Sequence, residues 1–115
     1  IAASGIKYYI EVANMPTTND ALEFLKEQKH MVIAPSKAVN ACGVAVSALE
    51  MAQNAERLYW TAEEVDAKMH QIMANIYHSS VAAAERYGLG YDLVAGANIV
   101  GFQRVADAMM AQGIF

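Results

Sequence analysis

Asn40, Val44 and Ser47 stand at i, i+4 and i+7, the spacing that puts three side chains on one face of a helix. Met51 and Asn54 extend the same line. The chemistry open to such a face is recognition rather than bond-breaking. A serine hydroxyl donates to a carboxylate, a valine one turn away walls an aliphatic chain, and an asparagine amide both gives and accepts hydrogen bonds. Around them residues 36–54 read SKAVNACGVAVSALEMAQN. With Cys42, Ala45, Val46, Ala48 and Leu49 on the other faces, this helix looks apolar all round, which predicts burial. A buried hydroxyl or amide needs a partner. In one reading Ser47 bonds back to a carbonyl of its own helix and Asn40 caps the helix start. In the other, both face a ligand pocket, and Gly43 lets a ligand or a second chain segment come close.

The elements that must position this face precede it. Residues 7–12, KYYIEV, are aromatic and β-branched and predict a strand. Pro16 stops it, and Thr17 with Asp20 three residues on resembles a capping box. Ala21, Leu22, Phe24 and Leu25 then form a helical stripe. Residues 30–34, HMVIA, are a second strand, stopped by Pro35. Strand, helix, strand in some thirty residues is a βαβ unit, with parallel strands and a right-handed crossover. Asn14 and Asn40 both fall just beyond strand ends, where open α/β sheets bind their ligands. Two strands alone leave faces and edges uncovered, so further strands are expected. Ile1 is no initiator, and the chain reads as starting in mid-sequence.

From residue 41 the pattern is helical. One helix covers 41–58. A second opens with Thr61 as N-cap and Glu64 at N3, carries Val65, Met69, Ile72, Met73 and Ile76 as its stripe, and ends at Tyr87 and Gly88. A last helix is predicted over 97–111. The methionines at helical spacing read as core. The fold class is therefore α/β: a βαβ remnant of a Rossmann-like nucleotide-binding domain over 1–40, then three α-helices over 41–115.

Composition excludes several functions. The chain has 115 residues, enough for one compact domain, and is 56% hydrophobic and 17% charged. That apolar excess in a short chain points to surface that meets other protein. A net charge of −4 and no basic run argue against nucleic acid. No apolar run reaches the ~20 residues of a bilayer span. Cys42 is the one cysteine, and His30, His70 and His78 are scattered, so no metal-ligand spacing exists. A lone thiol fits a reducing, cytoplasmic compartment. Lys37 precedes Asn40 and reads as a solvated loop lysine rather than a phosphate ligand. No lysine–carboxylate pair suited to general acid–base work is visible, so no catalytic residue is assigned.

Four motifs in order, ANMPTT (13–18), APSKAVNACGV (34–44), SALEMAQN (47–54) and GANIVGF (96–102), resemble the C-terminal part of hexameric glutamate dehydrogenases of the NADP-linked kind. The resemblance covers nearly the whole chain. It implies reversible oxidative deamination of L-glutamate to 2-oxoglutarate and ammonia with NADP, by a longer homo-oligomeric protein. It implies that Ser47 binds the substrate's side-chain carboxylate, that Val44 lines the glutamate pocket, and that Asn14 and Asn40 lie by the nicotinamide and ribose. The family's catalytic lysine and aspartate come from its first domain, so this chain alone is expected to be inactive. Cys42 and Val12 stand where the family usually has glycine. Two other classes remain: a small helical interaction module without chemistry, and a related amino-acid dehydrogenase with another substrate. A buried donor such as Ser47 favours an acidic substrate over an aliphatic one.

Overall fold

The computed structural model describes residues 1–113. After a single 3-10 turn, Ala2–Ser4, the elements are β1 (Tyr8–Ile10), α1 (Asn19–Lys26), β2 (Val32–Ala34), α2 (Ser36–Val39), α3 (Ala41–Glu56), α4 (Ala62–Arg86) and α5 (Leu93–Gln112). β1 and β2 pair in parallel, with Tyr8 opposite Val32, Tyr9 opposite Ile33 and Ile10 opposite Ala34. Bonds from Val32 N–H to the Lys7 carbonyl (2.7 Å) and from Glu11 N–H to the Ala34 carbonyl (3.0 Å) extend the ladder at each end. The α/β class and the parallel βαβ unit expected from the sequence are what the chain adopts.

A small core holds the sheet to the helices. Leu25 of α1, Ile33 of β2 and Val94 of α5 are buried together, with Leu22, Tyr9 and Met31 against them. The larger joint is between α4 and α5. At Gly96 the two backbones come so close that a Cβ would lie 2.0 Å from the Ser80 carbonyl oxygen. Ser80 is buried there and returns its hydroxyl to the Ile76 carbonyl at 2.8 Å, which satisfies the donor within its own helix.

Capping fixes the helix ends. At α4 the predicted capping box is complete: Thr61 Oγ1 accepts from Glu64 N–H at 3.2 Å, and Glu64 carboxylate accepts from Thr61 N–H at 2.7 Å. Gly88 takes a left-handed φ of 72° after that helix, as a C-terminal glycine should.

Four expectations need correction. The cap of α1 is Thr18, not Thr17, because the Thr17 hydroxyl is bonded to Tyr9 OH at 2.7 Å. α5 begins at Leu93, four residues before the predicted 97. Asp92 Oδ1 caps it by accepting from Ala95 N–H at 2.9 Å, and Gly96, the residue in contact with Ser80, lies within the helix. α3 is not buried: it holds no buried residue, and its Val44 is 77% exposed. Only one of its sides, with Cys42, Ala45, Leu49 and Gln53, is half-covered, and the opposite side is open. The methionines are likewise not all core, since Met51 and Met110 are exposed while Met69 and Met73 are half-buried.

Candidate functional site

The candidate residues gather at the C-terminal ends of the two parallel strands. β1 runs into the 11–18 loop and β2 runs into Pro35 and α2. Asn14 sits in the first of these segments and Asn40 at the junction of α2 and α3. Asn40 Nδ2 donates to Asn14 Oδ1 at 2.5 Å, across 26 residues of sequence. Asn40 occupies the N-cap position of α3 but makes no side-chain cap bond. Its amide is directed to Asn14 instead, so the reading in which Asn40 caps the helix is not the arrangement observed.

The loop that presents Asn14 is held under local strain. Met15 adopts a left-handed φ of 48°, uncommon for a side chain of that size and a feature that gathers at functional sites. Two polar ties flank it. Tyr9 OH bonds Thr17 on one side. On the other, the buried Glu11 carboxylate accepts from Ser36 N–H at 3.1 Å. Sequence reading did not single out Glu11 or Tyr9. A lone glutamate near a strand end carries no local sign that a backbone N–H waits for it 25 residues later.

Along α3, Ser47 and Val44 lie past this pair. Ser47 Oγ donates to the Gly43 carbonyl at 3.3 Å and is exposed. The back-bonded reading of Ser47 is thus the arrangement observed. A long bond at an exposed hydroxyl is weak, because water competes for both partners. The hydroxyl can turn outward at small cost. A Cβ at Gly43 would meet nothing within 4 Å. Val12 is 67% exposed and Cys42 half-buried. Lys37 is not simply solvated: its ammonium donates to Asn98 Oδ1 of α5 at 2.5 Å. His70 pairs with Asp66 at 3.4 Å on an exposed face, and His78 packs edge-on to Tyr77. Neither histidine is bonded to the asparagine pair.

Among the described residues no group of three or more His, Cys, Asp or Glu could hold a metal ion. No helix among them is long and apolar enough to cross a membrane.

The sequence profile of the Glutamate/Leucine/Phenylalanine/Valine dehydrogenases matches residues 1–113. The chain belongs to this family. It is 74% identical over 114 residues to the NAD-specific glutamate dehydrogenase of Clostridium symbiosum, covering 99% of this chain and 25% of that protein. It is 54% identical over 116 residues to the NADP-specific glutamate dehydrogenase of Escherichia coli (strain K12), again covering 99% of this chain and 25% of that one. A solved glutamate dehydrogenase superposes with a TM-score of 0.94 at 74% identity, over 97% of this chain and 25% of that one. Glutamate dehydrogenase 2 of Plasmodium falciparum superposes at 0.90 with 48% identity, over 97% of this chain and 24% of that one. The chain therefore spans about a quarter of the length of the curated relatives it matches. The dehydrogenase resemblance read from four motifs agrees with these matches.

Proposed function

We propose that this chain works as the C-terminal quarter of a glutamate dehydrogenase, supplying coenzyme and substrate contacts to a reaction completed by the rest of the protein. The reaction is oxidative deamination of L-glutamate: water is consumed, 2-oxoglutarate and ammonium are released, and a hydride passes to a nicotinamide coenzyme. Residues 1–40 act as the end of the nucleotide-binding domain and 41–115 as the helical segment that closes back across the cleft. The whole protein is a cytoplasmic homo-oligomer, hexameric as the resemblance implies.

The observation that carries this reading is the Asn14–Asn40 pair at the ends of two parallel strands. Its donor set suits a nicotinamide carboxamide. One amide hydrogen is spent between the two residues. The Asn14 amide hydrogens and the Asn40 carbonyl oxygen remain to bind an amide that is itself both donor and acceptor. Gly43 supports the same reading. Glycine in a helix is unfavourable by about 1 kcal/mol relative to alanine, and no neighbour explains it. Room for a bound molecule does. Val44 offers the exposed apolar wall, and Ser47, one turn on, needs only a rotation about χ1 to donate to a carboxylate.

The coenzyme is a nicotinamide dinucleotide. NADP, the finer assignment, is supported by the E. coli relative and opposed by the NAD-specific Clostridium relative at higher identity. Parallel assays of the full-length protein with each coenzyme decide between them.

The test of the site is Ser47→Ala in the full-length protein. A hydrogen bond to a charged group is worth about 1.5–3 kcal/mol, so kcat/KM for glutamate should fall roughly ten- to a hundred-fold. Uncharged amino acids should lose little, and coenzyme KM should hold. An unchanged preference for glutamate returns Ser47 to its bond with Gly43 and removes it from the site.

A further inference from the structure

Glu11 is the one buried charged side chain among the described residues, 6% exposed, and the proposed chemistry makes no use of it. A buried carboxylate is strongly unfavourable unless its oxygens are bonded. Its partner here is neither lysine nor arginine. Glu11 Oε2 accepts from the backbone N–H of Ser36, the first residue of α2, at 3.1 Å. The main chain of the same residue donates to Ala34 at 3.0 Å. One residue thus holds the β2–α2 junction at two points.

From Ser36 the bonding continues. The Ser36 carbonyl accepts from Asn40 N–H at 2.9 Å, and Asn40 Nδ2 donates to Asn14 Oδ1 at 2.5 Å. Asn14 lies three residues past Glu11. The path from Glu11 through Ser36, Asn40 and Asn14 therefore closes on itself, with two side-chain bonds joining two short stretches of backbone. Asn14 is exposed, so packing does not hold it in place. The ring does.

We propose that Glu11 is a positioning residue for the coenzyme: its carboxylate fixes the start of α2, and through it sets the Asn14–Asn40 amide pair in the geometry that receives the nicotinamide carboxamide. This rests on the reading of that pair given above. The bond needs an acceptor oxygen at glutamate's length and a donor at Ser36. Charge is secondary.

Three variants of the full-length protein test these requirements, with NADH and NADPH binding read by fluorescence, glutamate KM by initial rates, and folding by thermal melt. Glu11→Gln keeps an acceptor oxygen at the same reach and should bind coenzyme within about threefold of the parent. Glu11→Asp is one methylene short and should bind about ten- to a hundred-fold more weakly. Ser36→Pro removes the backbone donor and leaves the helix start intact, since proline suits the first helical position and Pro35, with ψ 146°, already has the conformation a following proline needs. It should match the aspartate variant. Glutamate KM should stay within about twofold in all three.

Folded Glu11→Asp and Ser36→Pro proteins with the parent's coenzyme affinity overturn the proposal. So does a glutamine variant as weak as the aspartate one, which would make charge the active property. Failure of both Glu11→Asp and Ser36→Pro to fold, beside a normal Glu11→Gln, assigns Glu11 to folding alone and also overturns it. Asn14→Ala separates the two levels. If it leaves coenzyme affinity unchanged, the reading of the amide pair fails. If it weakens binding while Glu11→Asp does not, only the role of Glu11 fails.

Discussion

α3 and α5 are written in nearly the same alphabet and end in opposite situations. Both are runs of alanine, valine and glycine with isolated polar residues. α5 buries Leu93, Val94 and Gly96, whereas α3 buries nothing. The glycines show why. A Cβ on Gly96 would strike the Ser80 backbone, and one on Gly43 would meet open space. The first glycine is there for packing between helices. The second has no packing reason, and it lies on the helix that carries Val44 and Ser47. Small-residue composition alone does not separate a glycine that packs from one that faces open space.

The largest effect that could break this contrast is expected at Gly96. Gly96→Ala forces α4 and α5 apart against a backbone contact that cannot rotate away, and overpacking of that kind costs about 1–3 kcal/mol. The melting temperature of a chain of this size should fall by roughly 4–12 °C. Gly43→Ala should instead stabilise by about 0.5–1 kcal/mol through helix propensity. In the full-length protein it should weaken ligand binding at the same time. Equal melting temperatures for the two variants would erase the distinction between a packing glycine and a free one.

Next in size is Asp92, which joins α5 to the rest of the fold in two ways. One carboxylate oxygen caps α5 at Ala95 N–H, and the other meets Lys26 of α1 at 3.2 Å. Asp92→Ala should destabilise by about 1–2 kcal/mol, most of it from the cap. Asp92→Asn keeps a capping oxygen and should recover most of the loss. If the asparagine variant is as unstable as the alanine one, the ion pair rather than the cap holds this end of α5.

These residues also mark what was legible in the sequence. Thr61 with Glu64 announced the start of α4, because both halves of a capping box lie within four residues. Asp92 is as good a cap and was missed, since the helix was placed from residue 97, just past Gly96. Its reason for being glycine is a carbonyl sixteen residues upstream. Thr17 and Thr18 are both plausible caps by pattern, and the choice was made by Tyr9, which occupies the Thr17 hydroxyl. The βαβ unit was readable because its strands are bounded by prolines. The burial of Glu11 was not, because it depends on where Ser36 lands. Asn14 and Asn40 were each placed at a strand end from sequence, but their mutual bond is a property of the parallel pairing. The burial of α3 was read wrongly for a simple reason: an apolar surface states what a helix can cover, not what covers it.

The smallest expected effect is an alkaline one, confined to the α5 side of the comparison. Partial burial pulls the Lys26 pKa down, but the hydrogen bond and charge of Asp92, with Glu23 behind it, outweigh this and leave it raised above the ordinary 10.5. A lysine with a raised folded pKa contributes stability that is complete below its unfolded pKa and is lost as pH rises through the folded one. Tyr91 acts in the same direction. Its hydroxyl bonds Tyr77 OH at 2.6 Å, and that bond, with some burial, raises its pKa above the ordinary 10.0. The unfolded tyrosine then ionises first, so stability falls as pH climbs past about 10. Melts taken from pH 7 to 11 should be flat up to about pH 9.5 and decline beyond it, by less than the Asp92→Ala loss, because Tyr91 is exposed and Lys26 only partly buried. Lys26→Met and Tyr77→Phe should each remove part of that decline. Ser47→Ala on the open helix should leave the profile unmoved. A decline of the same depth in a Lys26→Met, Tyr77→Phe double variant would mean that the alkaline transition arises elsewhere and that the α1–α5 and Tyr77–Tyr91 ties hold little of the fold together.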